Sequence, residues 1–141
     1  MKIEKTAFPV YKDRISPLFD VSDIFFIVDI INESIGRKHI YDISNVTGIK
    51  KIDRLEELGV SIVICSAISK IFADSLLSRG IDLIPGIIGK VNDVVHAYLN
   101  NCVMADAYIM PGCKWRRRYK GGQGFDNNGF FCSSMKWNKL L

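Results

Sequence analysis

No two of the four cysteines, Cys65, Cys102, Cys113 and Cys132, stand in a CxxC spacing. Neither a zinc-ribbon half-site nor a thioredoxin-type redox pair is therefore written locally. Histidine is scarcer still: only His39 and His96 occur, and no HExxH run joins them. The Gly-rich P-loop and the GxSxG elbow are also missing, which removes the commonest phosphate-binding and serine-hydrolase signatures. Long apolar runs are lacking too. The longest, Ile24 to Ile31, is interrupted by Asp29 and is too short to cross a bilayer. The first apolar stretch, Ala7 to Val10, is too short for a secretory core. These absences point to a cytoplasmic protein with free thiols and no membrane span.

Acidic residues are nearly absent from the C-terminal region. Residues 113–141 hold 7 Lys+Arg against one Asp, a net of +6, while residues 1–112 hold 12 against 14, a net of −2. The overall +4 therefore describes an acidic body and a basic extension rather than a uniformly basic domain. The 141 residues suit one domain, expected over 1–112, followed by a flexible basic tail over 113–141.

The patterning that is present reads as β-β-β-α-β-α-β-α. Lys2 to Val10, Ile24 to Ile31 and Ile35 to Ile43 read as three closely spaced strands, hence an antiparallel meander, with Tyr11 to Asp20 as a polar loop. Arg37, Lys38 and His39 suit an exposed sheet edge. Ile49, Ile52, Leu55 and Leu58 then switch to a helical period ending at Gly59. Two units of matching pattern follow, Gly59 to Val63 and Gly80 to Ile84, each a short strand leading through a loop to a helix (about 69–79 and 92–100). Such alternation requires parallel pairing with right-handed crossovers. The expected fold is α/β: a mixed five-stranded sheet, three strands antiparallel and two parallel, with helices on both faces, the ribonuclease H-like arrangement.

Five short motifs occur in order: Phe8-Pro9-Val10, Arg14-Ile15-Ser16-Pro17 with Phe19-Asp20, Ile64-Cys65-Ser66-Ala67-Ile68-Ser69, Ile84-Pro85-Gly86 and Met110-Pro111-Gly112-Cys113. Together they resemble the dinitrogenase iron–molybdenum cofactor biosynthesis domain family, over about residues 1–113. The resemblance implies a ribonuclease H-like fold. It also implies binding of an iron–molybdenum or related metal–sulfur cluster during assembly or delivery, with a client apo-protein as partner. Where nitrogenase accessory members carry His-Phe-Gly, this chain reads Leu18-Phe19-Asp20, which places it with the small stand-alone relatives.

In open α/β sheets ligands sit beyond the carboxyl ends of the strands. Candidate cofactor-binding residues there are Phe19, Asp20, Cys65, Ser66, Ser69, Gly86 and Gly89. The loops at 65–69 and 86–90 lead into helices whose free N–H groups favour anions, a cluster or a phosphate alike. Cys65, just before a helix start, is expected to be a thiolate and hence a soft-metal ligand; the competing reading is a small buried core residue. Cys113 is the second candidate ligand, with Cys102 behind it. Asp20 would cap a turn or bind a cation, and Ser66 and Ser69 would cap a helix or donate to an anion. His39 and His96 need not be ligands. Asp29 is an isolated carboxylate where a two-metal nuclease would need a cluster, so the chain reads as a non-enzyme. The alternative is a nucleic-acid or protein-binding module acting through Trp115, Arg116 to Arg118, Tyr119 and the aromatic residues beyond them.

Overall fold

The computed structural model describes residues 3–32 and 34–100. Strand β1 (Ile3–Tyr11) alternates its side chains across the sheet, Ala7 into one apolar cluster and Phe8 into the other. A tight turn at Lys12 and Asp13 leads into the two-residue strand β2 (Arg14–Ile15), which pairs back on β1 through Val10↔Ile15 and Tyr11↔Arg14. A 3₁₀ turn over Phe19–Val21 precedes β3 (Ile24–Ile31) and β4 (Ser34–Asp42). Helix α1 (Lys50–Glu57), strand β5 (Ile62–Ile64), helix α2 (Lys70–Ser78), strand β6 (Asp82–Ile84) and helix α3 (Val91–Leu99) follow.

The sheet runs in the order β4-β3-β1-β5-β6, with β2 attached to β1 off that path. Strand β1 is the hinge of the topology. It pairs antiparallel with β3 over eight residue pairs, Ile3↔Ile31 to Val10↔Ile24, and parallel with β5 at Thr6↔Ile62 and Ala7↔Val63. The architecture is thus mixed α/β, a six-stranded mixed sheet with three helices. The sixth strand is the departure from the sequence-based expectation. Two residues cannot display a period, so Arg14 and Ile15 were indistinguishable from the surrounding polar loop.

Two cores flank the sheet. On one face Ala7, Phe25, Ile27, Val63 and Leu83 meet Ile52 and Leu55 of α1 and Ala73, Leu76 and Leu77 of α2. On the other, Phe8, Val28, Ile30, Ile62, Ile64 and Ile84 meet Val91, Val94, Val95 and Ala97 of α3. Strands carrying apolar residues on both faces are what a sheet covered on both sides demands. Asp29 is the exception within β3. It is buried and faces its cross-strand partner Lys5, with the ammonium 3.6 Å from Oδ1. It therefore serves as half of a structural ion pair. The ladder between β3 and β4 slips beside it, between Val28 and Ile30.

Among the described residues no helix is long and apolar enough to cross a membrane. Cys102 and the expected tail over 113–141, with Cys113, Cys132 and the Arg116 to Arg118 cluster, lie outside the described residues.

Candidate functional site

The parallel strands β1, β5 and β6 deliver three loops to one end of the sheet, and backbone hydrogen bonds knit these loops together. Cys65 N–H donates to the Ile84 carbonyl (3.0 Å), Ile87 N–H to Cys65 (3.0 Å) and Gly86 N–H to Ser66 (3.0 Å). The loop after β1 is tied to both others. Phe19 N–H donates to Ala67 (2.9 Å), Ala67 N–H to Pro17 (3.1 Å), Ile15 N–H to Gly89 (2.9 Å) and Val91 N–H to Asp13 (2.9 Å). Gly86 at φ 79° and Gly89 at φ 129° supply the left-handed backbone that lets the 85–90 loop make these contacts. Their described role is to shape that loop.

Within this end the residues singled out from sequence divide sharply. Phe19 points inward. It is fully buried, edge-on to Phe25 (centroids 5.5 Å, 68°) and Phe72 (5.9 Å, 82°). It anchors the loop from beneath instead of lining a surface. Cys65 also lies in that core, fully buried within the same apolar cluster. Burial pushes its thiol up from the ordinary value of 9.0, and the charge of nearby Asp20 pushes it further. The expected thiolate is corrected here: desolvation outweighs any help from the helix start. Asp20 and Ser69 explain why that help is small. The Asp20 carboxylate accepts from Ser69 N–H (3.0 Å), and Ser69 Oγ accepts from Phe72 N–H (3.5 Å). The positive end of α2 is thus already occupied by the chain's own anion. Ser66 is buried. His39 is exposed on β4 beside Tyr41, and His96 is exposed on α3. Among the described residues no three His, Cys, Asp or Glu side chains converge to hold a metal ion.

A buried thiol makes a direct prediction. In a Cys102→Ser/Cys113→Ser/Cys132→Ser variant, native Cys65 should react with a thiol reagent at least ~100-fold slower than after unfolding in urea. A rate matching a free thiol in folded protein would contradict this placement. The linkage sign follows. The unfolded thiol ionises near pH 9 while the folded one stays protonated. Stability is therefore full below pH 9 and falls above it, by up to about 1.4 kcal/mol per pH unit.

Sequence reasoning missed the residue that fixes the outer half of the loop. Lys51, in the first turn of α1, is buried, with its side chain 5% exposed. Its ammonium donates to the Ser22 carbonyl (2.7 Å) and the Asp20 carbonyl (3.2 Å), and lies 3.3 Å from Asp23 Oδ1. A signal was available: Lys51 lies four residues before Leu55, on the apolar side of the helix. A second tie is hydroxylic, Ser22 Oγ lying 2.7 Å from Ser16 Oγ and 2.8 Å from the Leu18 carbonyl.

The loop so held forms one wall of an open groove of about 600 Å³. Tyr11, Pro17, Leu18, Val21 and Ile24 give it a largely apolar lining, and Tyr11 and Val21 are well exposed. Asp23 and Asp42 are part of its lining. Asp23 is neutralised by Lys51, whereas hydrogen bonds from Ser44 hold the exposed Asp42 carboxyl below its usual range. The groove can take a soft or apolar surface; among the described residues it presents no cationic side chain. Leu18 is part of this lining.

The sequence matches the family described as dinitrogenase iron-molybdenum cofactor over residues 2–101. No curated protein matches it. Among solved structures, PH0822 superposes with a TM-score of 0.66 at 23% identity, covering 69% of this chain and 89% of that one. A Methanocaldococcus jannaschii protein provisionally described as a dinitrogenase gives 0.59 at 19%, covering 72% and 93%. A Thermotoga protein provisionally described as a NifB protein of the DUF35 family gives 0.55 at 22%, covering 70% and 90%. At these identities the likeness is one of fold.

Proposed function

The chain belongs to the dinitrogenase iron-molybdenum cofactor family, and from that premise we propose that it is a non-catalytic, cytoplasmic carrier that receives a metal–sulfur cluster as cargo and delivers it to a client apo-protein. The strand order fits a ribonuclease H-like arrangement, which this reading adopts. The family match carries the proposal, and the groove at the carboxyl end of β1 gives the cargo a place. Sulfide-bridged clusters are polarisable and present low charge density, so apolar walls at Leu18, Val21 and Ile24 suit their faces.

The thiolate in this reading is Cys113, at the end of the Met-Pro-Gly-Cys motif. Full burial and a pKa raised by it argue against Cys65 as a ready ligand. Binding through one thiolate and an apolar wall is weak by design, as a carrier that must release its cargo requires.

Anaerobic reconstitution with iron, sulfide and molybdate, read by visible absorption and metal content, tests the assignment. Wild type and Cys65→Ala should retain colour and metal alike, whereas Cys113→Ala should lose at least ~90% of both. Leu18→His, which adds an imidazole to the groove wall, should tighten retention on the order of tenfold. A wild type that keeps no metal, or a Cys113→Ala protein that keeps all of it, would sink the proposal.

A further inference from the structure

We propose that the outer edge of β4 is a docking site for an extended acidic segment of a partner protein, which joins the sheet as an added strand. The two edges of the sheet differ in kind. Strand β6 is three residues long, too short to template a partner. Strand β4 is nine residues long, and among the described residues it pairs only with β3. On such an edge every second residue turns its N–H and C=O away from β3, and this row of unpaired groups forms a ready ladder for an incoming chain. No proline falls within it, among the described residues no helix covers it, and residues 36–40 are exposed without a break.

The side chains select the occupant. Arg37, Lys38 and His39 follow one another, and among the described residues neither Arg37 nor Lys38 has an ion-pair partner. Strand geometry sends Lys38 and Ile40 to one face and Arg37 and His39 to the other. Positive charge therefore flanks the edge on both faces. This disfavours a second copy of the chain, because pairing β4 with itself would set these like charges opposite each other. It also disfavours nucleic acid, whose phosphates would have to track a single face and could not fill the backbone ladder. The chain's own C-terminal region is net +6 and repelled by the same charges. An acidic strand meets the ladder and both charged faces at once. Ile40, 72% exposed, adds an apolar contact two residues from Lys38. The preferred segment thus reads apolar, any, acidic, acidic, with the apolar residue opposite Ile40 and the acids opposite Lys38 and Arg37. This inference is independent of the cargo reading and holds with or without a cluster.

The test uses the full chain and a blocked nine-residue peptide of alternating Val and Thr with two adjacent central Glu residues. Binding is read by fluorescence anisotropy and by amide hydrogen exchange. The Glu peptide should bind and slow exchange at β4 amides. Binding should fall on the order of tenfold for the same peptide with Gln in place of Glu, and likewise for Arg37→Glu/Lys38→Glu. Arg37→Gln/Lys38→Gln serves if the double reversal fails to fold. Unchanged exchange in β4, equal binding by the charge variant, or equal competition by single-stranded oligo(dT) would each overturn the proposal. Because residues 113–141 are also basic, the β4 variant and the exchange pattern, not salt dependence, discriminate between the two locations.

Discussion

Phe19→Ala is expected to lower stability by about 3–5 kcal/mol. The ring is fully buried and makes edge-to-face contacts with Phe25 of β3 and Phe72 of α2. Its removal deletes two aromatic pairs and opens a cavity where a loop, a strand and a helix meet. Relaxation into that cavity is limited, because the Phe19 N–H is held by the Ala67 carbonyl and the Ser22 N–H by the Phe19 carbonyl. For a domain of about 100 residues this corresponds to a fall in Tm on the order of 15–30 °C. Phe19→Leu, which keeps most of the volume, should cost less than about half as much. Calorimetric or urea melts of the two variants decide it. A Phe19→Ala protein within 1 kcal/mol of wild type would mean that the ring is not the anchor, and would return Phe19 to the surface role that its motif suggested.

That contrast shows where reading the sequence succeeds and where it stops. The meander, the two repeated strand–helix units and the convergence of three loops all follow from period and from Gly59 and Gly80. Such features are set by local patterning, which one chain displays in full. The direction of a single loop side chain is not. Phe19 and Cys65 both sit in segments at the carboxyl ends of strands, where ligands are usually found. Both turn inward, because the apolar cluster beneath needs filling. Asp20 was expected to cap a turn or bind a cation, whereas its carboxylate accepts from Ser69 N–H, 49 residues away, a partner no local rule could name. The groove is likewise invisible in sequence. Its walls come from β1, the first loop and the end of β4, and Val21 and Ile24 look like ordinary residues flanking a strand.

Lys51→Met should cost about 2 kcal/mol and, more tellingly, loosen one loop ahead of the rest. Methionine keeps the length and apolar character of the stem while removing the ammonium. The Ser22 and Asp20 carbonyls then lose a charged donor inside the protein, at 2.7 and 3.2 Å. Asp23 loses its counter-charge but is half exposed, so water recovers much of that interaction. This places the cost below that of breaking a fully buried ion pair, about 3–5 kcal/mol. Lysine is used here because three oxygens of residues 20–23 converge on one point, and a single ammonium with three donors can satisfy them together. Phe19 draws this loop in from the core side, and Lys51 clamps it from α1. The two variants should therefore differ in kind as well as size. Phe19→Ala lowers global stability, whereas Lys51→Met should first release the amides that report on the clamp, Ser22 N–H to Phe19 and Ile43 N–H to Asp23. Hydrogen exchange at those amides should quicken at least ~10-fold while exchange in β1 rises only with the global change. Since the loop walls the groove, the carrier proposal has Lys51→Met also weaken retention of the proposed cluster even where the protein remains folded. Exchange at Ser22 and Ile43 that tracks β1 throughout would show that the clamp is not a separate element, and that the ammonium contributes only to overall stability.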